Sequence, residues 1–362
     1  MKKYLVIVIA IFMLSSVNVY AQTMSKYGYP EGYKPNKTVN TLQNTTQNNS
    51  ISSVSNNSNS GLFPHHINPA ILSVNNMLSV SYSDLGLNYG EYNDGAVSSI
   101  NNKYLDTDNG FINGFAISLS NTYKHWYSKE NFSYYSGNVT YTGYNQEYGG
   151  TVLNPTMIYL PINFTESSKI YNFNWKIGYM LPITDKFVIT PYGELGWHIW
   201  KRGDNTSQYA HYSNWLAMVG LLAQYAFTPK LVGDIDFGYG TTFDAQAKED
   251  NNPSGGSYYC QNNEISTCNS VGVNSDTITF DLGSKAIYNL SAGLDYRFYR
   301  KFHIFADVNY ERFKYGQSST VNLAPTAVYN NGALEYFLPE SVTEPNSVTN
   351  EIIYSIGLGY SF

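Results

Sequence analysis

The chain has little charge, only two cysteines and no long apolar run after its first residues. Charged residues make up 13% of its 362 residues and the net charge is −6, so the basic stripe that nucleic-acid binding requires is missing. Two cysteines, Cys260 and Cys268, exclude a multi-disulfide scaffold. No stretch after residue 21 approaches the roughly 18 apolar residues of a membrane-spanning helix.

The apolar run at the N-terminus predicts a signal peptide over residues 1–21. Two lysines precede an apolar stretch over 4–17 that is too short to span a bilayer comfortably, and cleavage is expected after Ala21. Export places the chain in an oxidising compartment. We therefore expect Cys260 and Cys268 to form a small disulfide loop.

Aromatic residues are abundant, with 35 Tyr and 18 Phe, and the C-terminus shows how they are used. Every second residue there is large and apolar, and those between are mostly small or polar. The large residues are Ile352, Tyr354, Ile356, Leu358, Tyr360 and Phe362. Because successive side chains of a strand point to opposite faces, this pattern is typical of a strand with lipid on one side and a narrow polar lumen on the other.

Similar alternation in ten segments predicts an all-β fold, a transmembrane antiparallel up-and-down β-barrel. Segment 77–90, where the alternation slips near Leu85, and segment 132–145 are the weakest, and without them eight strands would remain. The predicted strands are 77–90, 111–125, 132–145, 171–182, 187–200, 211–227, 231–244, 286–299, 302–315 and 350–362.

The connections between these segments alternate in length, as expected when short turns face the periplasm and long loops face outside. The expected long loops are 91–110, 146–170, 201–210, 245–285 and 316–349. Residues 22–76 before the barrel (77–362) are rich in Asn, Thr, Ser and Gln, which predicts a disordered periplasmic segment. A short apolar element at 61–72 could enter the lumen as a plug or pack below it.

Charged residues of the predicted strands fall on the face opposite the apolar one, which places them in the lumen. They are Lys176, Glu194, Asp234, Asp236, Asp295, Arg297, His303, Asp307 and Glu311. Charges in a confined interior must be paired, so an internal salt-bridge network is one interpretation. Acids outnumber bases in this set, so an acidic constriction that favours cations is the other.

A local motif and the C-terminus add a family resemblance. The sequence Pro191-Tyr192-Gly193-Glu194-Leu195-Gly196 and the final Gly357–Phe362 resemble the small outer-membrane β-barrels of bacteria, the porin-family and opacity-type proteins. The resemblance implies an integral outer-membrane protein in contact with lipid. It also implies that Tyr360 and Phe362 belong to the signal read by the outer-membrane assembly machinery. Functions in that family range from adhesion to structural support and narrow pores.

Enzymatic sites are not evident in the sequence. Ten strands is also the number in the omptin proteases, but the residues expected at the outer rim, His198, Asp204, His211 and Asp244, include no paired carboxylates. No His with a Ser at matching depth stands out. His65 and His66 have no further ligands nearby, so we expect no metal, no cofactor and no enzymatic activity.

The exposed loops are the remaining place for function. They combine Tyr with Asn, Ser and Gly, a mixture typical of binding surfaces. The first hypothesis is therefore surface interaction or adhesion, with a host or cell-surface ligand, or simple shielding of the cell. The alternative is a narrow, cation-preferring diffusion channel. An omptin-like surface protease is the least favoured function.

Overall fold

The computed structural model describes residues 66–93, 100, 102–203, 209–272 and 274–362. The predicted signal peptide and most of the polar segment after it lie outside these residues. One helix precedes the strands: α1 comprises Pro69–Val74. None of the described helices is long and apolar enough to cross a membrane.

The strands are β1 Met77–Tyr92, β2 Tyr104–Tyr123, β3 Trp126–Thr151, β4 Asn154–Tyr179, β5 Leu181–Thr184, β6 Phe187–Arg202, β7 Tyr209–Thr228, β8 Leu231–Ser254, β9 Ser257–Gln261, β10 Glu264–Val271, β11 Asn274–Asp281, β12 Ala286–Tyr299, β13 Phe302–Tyr315, β14 Val321–Asn322, β15 Thr326–Asn330, β16 Ala333–Leu338, β17 Ser341–Val342 and β18 Ser347–Ser361.

Ten of these strands form a closed antiparallel barrel. They follow one another in the order β1, β2, β3, β4, β6, β7, β8, β12, β13 and β18. The barrel closes where β18 pairs with β1, in continuous register from Met77 opposite Ser361 to Glu91 opposite Ser347. The ten-strand prediction is confirmed, and the eight-strand alternative is wrong.

The two ends of the barrel differ. Tight turns at 124–125, 185–186, 229–230 and 300–301, together with α1 and the C-terminus, mark one end, called here the turn end. The other, the loop end, carries the longer connections and the strands β9–β11 and β14–β17.

Two expected loops at the loop end are instead extended strands. β3 and β4 stay paired up to Thr151 opposite Asn154, so 146–170 is mostly the outer part of a hairpin. β8 likewise continues to Ser254 and pairs with β11, within the expected loop 245–285. The alternation of polarity fades here, but the backbone pairing does not depend on it, and Tyr, Thr and Ile favour extended structure.

An apolar outward belt surrounds the barrel. Its exposed side chains include Leu78, Val80, Tyr82, Phe115, Ile117, Leu195, Val219, Leu221, Ile235, Phe237, Leu290, Leu294, Ile304, Ile356 and Leu358. The expected segregation of strand charges has exceptions, because Arg312 and Lys314 on β13, Asp84 on β1 and Glu130 on β3 lie on the outward face. Asp84 accepts a hydrogen bond from Tyr82, and Glu130 accepts one from Ser128 at 2.8 Å, beside Trp175.

The alternation of β1 does not slip at Leu85. Its odd-numbered residues face inward throughout, from Met77 to Glu91, and Leu85, Leu87 and Tyr89 are buried inside the barrel. What changes near Leu85 is the character of the lumen, from polar to apolar. In the sequence, this change of polarity on the inner face resembled a shift in the alternation of inward and outward residues.

Candidate functional site

Helix α1 fills the lumen at the turn end. Asn68 caps it by accepting a hydrogen bond from the Ala70 amide at 2.9 Å, and Pro69 occupies its first turn, both typical of a helix start. Ile71 is fully buried, and with Ala70 it packs against lumen-facing side chains. These are Tyr127, Met180, Val188, Tyr192, Leu222, Ala226 and Val232. We call α1 with this apolar cluster the turn-end plug.

Polar contacts hold the helix to the barrel wall. The side-chain amides of Asn75 and Gln224 exchange two hydrogen bonds, of 2.7 and 3.0 Å. Ser73 Oγ lies 3.1 Å from His303 Nε2, and His303 Nδ1 lies 2.5 Å from Asp295 Oδ1. The expectation that no His stands beside a Ser is therefore wrong. The contact was not apparent from the sequence because the two residues are 230 positions apart.

This Ser–His–Asp chain has the order of groups used by serine hydrolases, in which Ser is the nucleophile and His the base. Such chemistry also needs hydrogen-bond donors aimed at the developing oxyanion. The two amide side chains nearest to Ser73 in the sequence already donate elsewhere: Asn75 to Gln224, and Asn76 to Thr122 and the Leu72 carbonyl. The geometry supports a role in fastening α1 to the wall.

Above the plug lies a polar chamber of about 260 Å³. The structure brings three of the predicted charges together in it. Lys176 contacts Asp236 and lies 3.5 Å from Glu194, while the Tyr192 hydroxyl donates to Asp236 at 2.5 Å. We call these four residues the Lys176 cluster. It is a compact ion-pair network of the kind that a confined interior requires.

Other predicted lumen residues are distributed around this cluster. Asp234, Asp295, Asp307 and Glu311 line the same chamber. His303 lies at its lower edge, between α1 and Asp295. Arg297 is not in the chamber, because its guanidinium donates to the Pro229 carbonyl at 2.8 Å in a turn at the turn end.

Two charged residues of the chamber were missing from the prediction. They are Lys129, which was expected in a short turn before the strand 132–145, and Glu351, next to the outward Ile352. The alternation that directs Ile352 outward also directs Glu351 inward, so the signal was present. With them, the chamber is lined by seven carboxylates and two lysines. The carboxylates are Glu194, Asp234, Asp236, Asp295, Asp307, Glu311 and Glu351.

An apolar core fills the lumen towards the loop end. Tyr89 packs edge-on against Trp200 with ring centroids 4.9 Å apart, and Tyr212 stacks between Trp200 and Tyr315 at 5.2 and 5.6 Å. Further members are Leu85, Leu87, Ile112, Tyr135, Val139, Ile170, Leu216, Met218, Phe280, Leu282, Ile287 and Phe313. We call this set the loop-end core. The polar chamber therefore lies between two apolar layers.

A second buried charge cluster lies beside this core, beyond the outward belt. Arg202 is within 2.6 to 3.3 Å of four carboxylates. Its guanidinium also lies over three aromatic rings, at 5.1 to 5.8 Å from their centroids. The carboxylates are Glu91, Asp106, Asp108 and Glu166, and the rings are Tyr89, Tyr141 and Trp200. Together they form the Arg202 cluster.

Burial has the largest effect on the pKa values of Glu91 and Asp108 in this cluster. Loss of solvent, reinforced by Asp106 and opposed by Arg202, raises the pKa of Glu91 to about 8. Loss of solvent also raises the pKa of Asp108 to about 9, although Arg202 opposes the shift. One guanidinium thus does not stabilise four ionised carboxylates in a dry site. The cluster was not predicted from the sequence, because its carboxylates fall in segments expected to be loops: Glu91, Asp106, Asp108 and Glu166.

The loop-end connections form a small sheet. β9 and β10 make a hairpin, β15 pairs in parallel with β9, and β10 touches the tip of β3 through Glu264 opposite Thr151. Cys260 and Cys268 form a disulfide across this hairpin, as predicted. Val152, at the tip of the β3–β4 hairpin, is fully buried against Cys260 and Val328. The tip is therefore held by packing.

The outer part of the β3–β4 hairpin carries an exposed apolar stripe. Ile158, Leu160, Ile162 and Phe164 alternate along the face that continues the lumen side of β4. Ile158, Leu160 and Phe164 are 44%, 41% and 43% exposed. β6 pairs with β4 only from Ser168 onward, so no described strand covers this edge. These four residues are called here the apolar stripe.

Comparisons with known proteins give only structural likenesses. No protein-family model matches the sequence, and no curated protein matches it. The outer membrane protease OmpT from Escherichia coli is similar with a TM-score of 0.43 at 10% identity, covering 80% of this chain and 97% of that chain.

Two further solved structures are less similar. The toluene transporter TodX of Pseudomonas putida has a TM-score of 0.30 at 11% identity, with 82% and 92% coverage of the two chains. Ail, the attachment invasion locus protein of Yersinia pestis, has 0.26 at 12%, with 79% and 99%. Likenesses this weak do not indicate what the chain does. Its assignment as a ten-stranded antiparallel barrel comes from its own strand pairing.

Proposed function

We propose that the chain is an integral outer-membrane β-barrel of bacteria whose loop end faces outside the cell. The outward belt supports this, because exposed apolar side chains on every side of a barrel need an apolar solvent. Closure between β1 and β18 also supports it, since each backbone group in lipid must find a partner within the protein. The predicted signal peptide agrees with export.

We further propose that the barrel serves surface interaction, with no enzymatic activity of its own. The observation that carries this proposal is the apolar stripe, four large apolar residues on a hairpin that projects beyond the barrel. Exposed contiguous apolar surface commonly marks a protein-interaction site. Pro155 and Pro161 lack the N–H needed for strand pairing, so the edge of β4 is a poor template for an added strand. The partner we infer is an apolar surface of an external protein, docked on the face of the hairpin.

The test compares two charge insertions on opposite faces of the same hairpin. Leu160→Lys with Phe164→Lys places charges on the stripe, while Asn138→Lys with Thr140→Lys places the same charges on the other face. Bacteria expressing each variant are scored for self-aggregation and for attachment to wells coated with collagen or fibronectin. We expect binding to fall at least tenfold only for the stripe variant. Equal binding by wild type and both variants would refute the proposal.

A second candidate function is the cation-preferring channel, which the acid-rich chamber favours. For ions to pass, both α1 and the loop-end core would have to move, since each fills the lumen with apolar side chains. We therefore expect the folded protein to give no steady openings in a planar bilayer under a salt gradient. Steady cation-selective openings, altered by Asp234→Asn with Asp236→Asn, would favour the channel instead.

A further inference from the structure

Two acidic side chains in the chamber lie side by side without a basic partner. Glu311 on β13 is directly opposite Glu351 on β18, and Asn289 on β12 is directly opposite Glu311. All three line the chamber, immediately below the loop-end core. Directly opposed residues have Cβ atoms about 5 Å apart, so the two carboxylates can reach a common point.

The bases of the chamber are engaged elsewhere. Lys176 contacts Asp236 and Glu194, and Lys129 interacts electrostatically with Asp234 and Asp307. Lys176 and Glu194 are the charged groups whose fields also reach Glu311. No salt bridge of Glu311 or Glu351 with a base occurs in the described part of the chain.

The oxygens in this row also lack donors. Glu351 is 1% exposed, and its Oε1 has no hydrogen-bond partner among the described residues. Asn289 Oδ1 also lacks a donor, but it lies over Gly238 on β8 and is directed away from the two carboxylates. A buried acceptor without a donor costs about 1–3 kcal/mol, and more when it is charged. Such an acceptor on Glu351, directly opposite a second carboxylate, indicates that a positively charged species belongs at this place.

We propose that the chamber binds one hard divalent cation, Mg²⁺, between Glu311 and Glu351. No group of three or more His, Cys, Asp or Glu in the described residues could hold a metal by itself. Mg²⁺ does not need such a cage, because it commonly keeps several waters and takes one or two carboxylates. At about 30 Å³ per water, a chamber of 260 Å³ accommodates the ion with its water ligands. Serine and asparagine side chains along the wall can hydrogen-bond those waters.

The ion would neutralise the two opposed carboxylates and join β13 to β18 beside the closing seam of the barrel. This inference does not depend on the apolar stripe, since a barrel without any surface partner could hold such an ion. The competing arrangement is a single proton shared by Glu311 and Glu351, as in other close carboxylate pairs. The two arrangements differ in whether metal concentration matters.

The experiment uses the full chain, refolded into detergent micelles with either MgCl₂ or EDTA present, so that the ion can enter before the barrel closes. Thermal unfolding is followed by circular dichroism, and binding is measured from the electron paramagnetic resonance signal of Mn²⁺ used in place of Mg²⁺. Glu311→Gln, Glu351→Gln and the double variant remove the site with little change of shape. Glu130→Gln, on the outward belt, is the matched control.

We expect one Mn²⁺ to bind per folded chain. With MgCl₂ well above its Kd, the midpoint of thermal unfolding should be about 5 °C higher than in EDTA. Glu130→Gln should keep both effects. Each single variant should weaken Mn²⁺ binding at least tenfold, and the double variant should abolish it. The same midpoint in MgCl₂ and EDTA, with no bound Mn²⁺ in wild type, would overturn the proposal and favour the shared proton. A Mg²⁺ effect that persists in the double variant would also overturn it.

Discussion

The Lys176 cluster and the Arg202 cluster both pair buried acids with a single base, but in different surroundings. Each places one basic side chain among buried acids. Lys176 serves two carboxylates and a tyrosine in a chamber with polar walls, whereas Arg202 serves four carboxylates while lying against three aromatic rings. A guanidinium presents five N–H donors in a plane and tolerates contact with rings, and an ammonium is a compact, strongly hydrated charge. The drier site therefore uses arginine.

The largest effect should come from removing Arg202. Arg202→Ala leaves four carboxylates without their base, and breaking a buried ion pair from one side typically costs about 3–5 kcal/mol. We expect the loop end to become sensitive to added protease while the belt-embedded part stays folded. Arg202→Lys should fall between wild type and Arg202→Ala, because lysine keeps the charge but not the planar donors. Equal protease resistance of all three proteins would contradict this account of the cluster.

Removing Lys176 should have a smaller effect. Lys176→Met leaves Asp236 and Glu194 without a base, but they line a polar chamber where water can replace part of the lost interaction. We expect a loss of about 2–3 kcal/mol in unfolding free energy, measured by urea titration in micelles. Adding Asp236→Asn to Lys176→Met should restore about half of it. If Lys176→Met costs more than Arg202→Ala, the contrast drawn between the two clusters is wrong.

The Arg202 cluster should also respond to pH. In the folded protein the pKa of Glu91 is about 8 and that of Asp108 about 9, both above their ordinary values. Between pH 4 and pH 9 the folded state therefore binds more protons than the unfolded state, and stability falls as pH rises. Protease resistance of the loop end should decrease from pH 5 to pH 9.

Asp108→Asn provides the control for that pH dependence. An amide cannot lose a proton in this range, so the variant should lose resistance less steeply with pH than wild type does. Asn138→Asp, an exposed position on the β3–β4 hairpin, should leave the slope unchanged. A slope that is the same in wild type and Asp108→Asn would show that other groups control the response.

The smallest effect concerns the turn-end plug. Ser73→Ala removes one hydrogen bond to His303, worth about 1 kcal/mol, and should speed amide hydrogen exchange in α1. Ser291→Ala, in the chamber wall, should not. Ser73 should also fail to react with a fluorophosphonate probe, since the neighbouring amide donors are engaged. Covalent labelling at Ser73 would instead reveal a working nucleophile and an enzymatic activity.

The features predicted best from the sequence are those that an apolar solvent imposes on every strand, namely the alternation of outward apolar and inward polar side chains. The outward residues of β18, such as Ile356 and Leu358, alternate with small or polar ones, so strand number and direction followed from them. Leu85 shows the limit, because its inward apolar side chain looked like an error of phase. Beyond the belt both faces of a strand can be polar, and strand residues such as Asp108 were read as loop.

The candidate sites were harder to predict because they depend on residues distant in sequence. The inward acids of β8, Asp234 and Asp236, could be identified from their phase alone. The contact between Ser73 and His303 could not, since it depends on where α1 enters the lumen. Arg202 was overlooked for a similar reason, because its acids come from three separate strands.

The position of Asn76, between α1 and β1, connects the plug to the seam of the barrel. Its carbonyl accepts a hydrogen bond from the backbone N–H of Phe362 at 3.1 Å, and its side chain donates to Thr122. The last residue of the chain therefore docks on the segment that leads out of the plug. β18, which closes the barrel, is thus hydrogen-bonded to the segment between α1 and β1, so the seam and the turn-end plug share a contact.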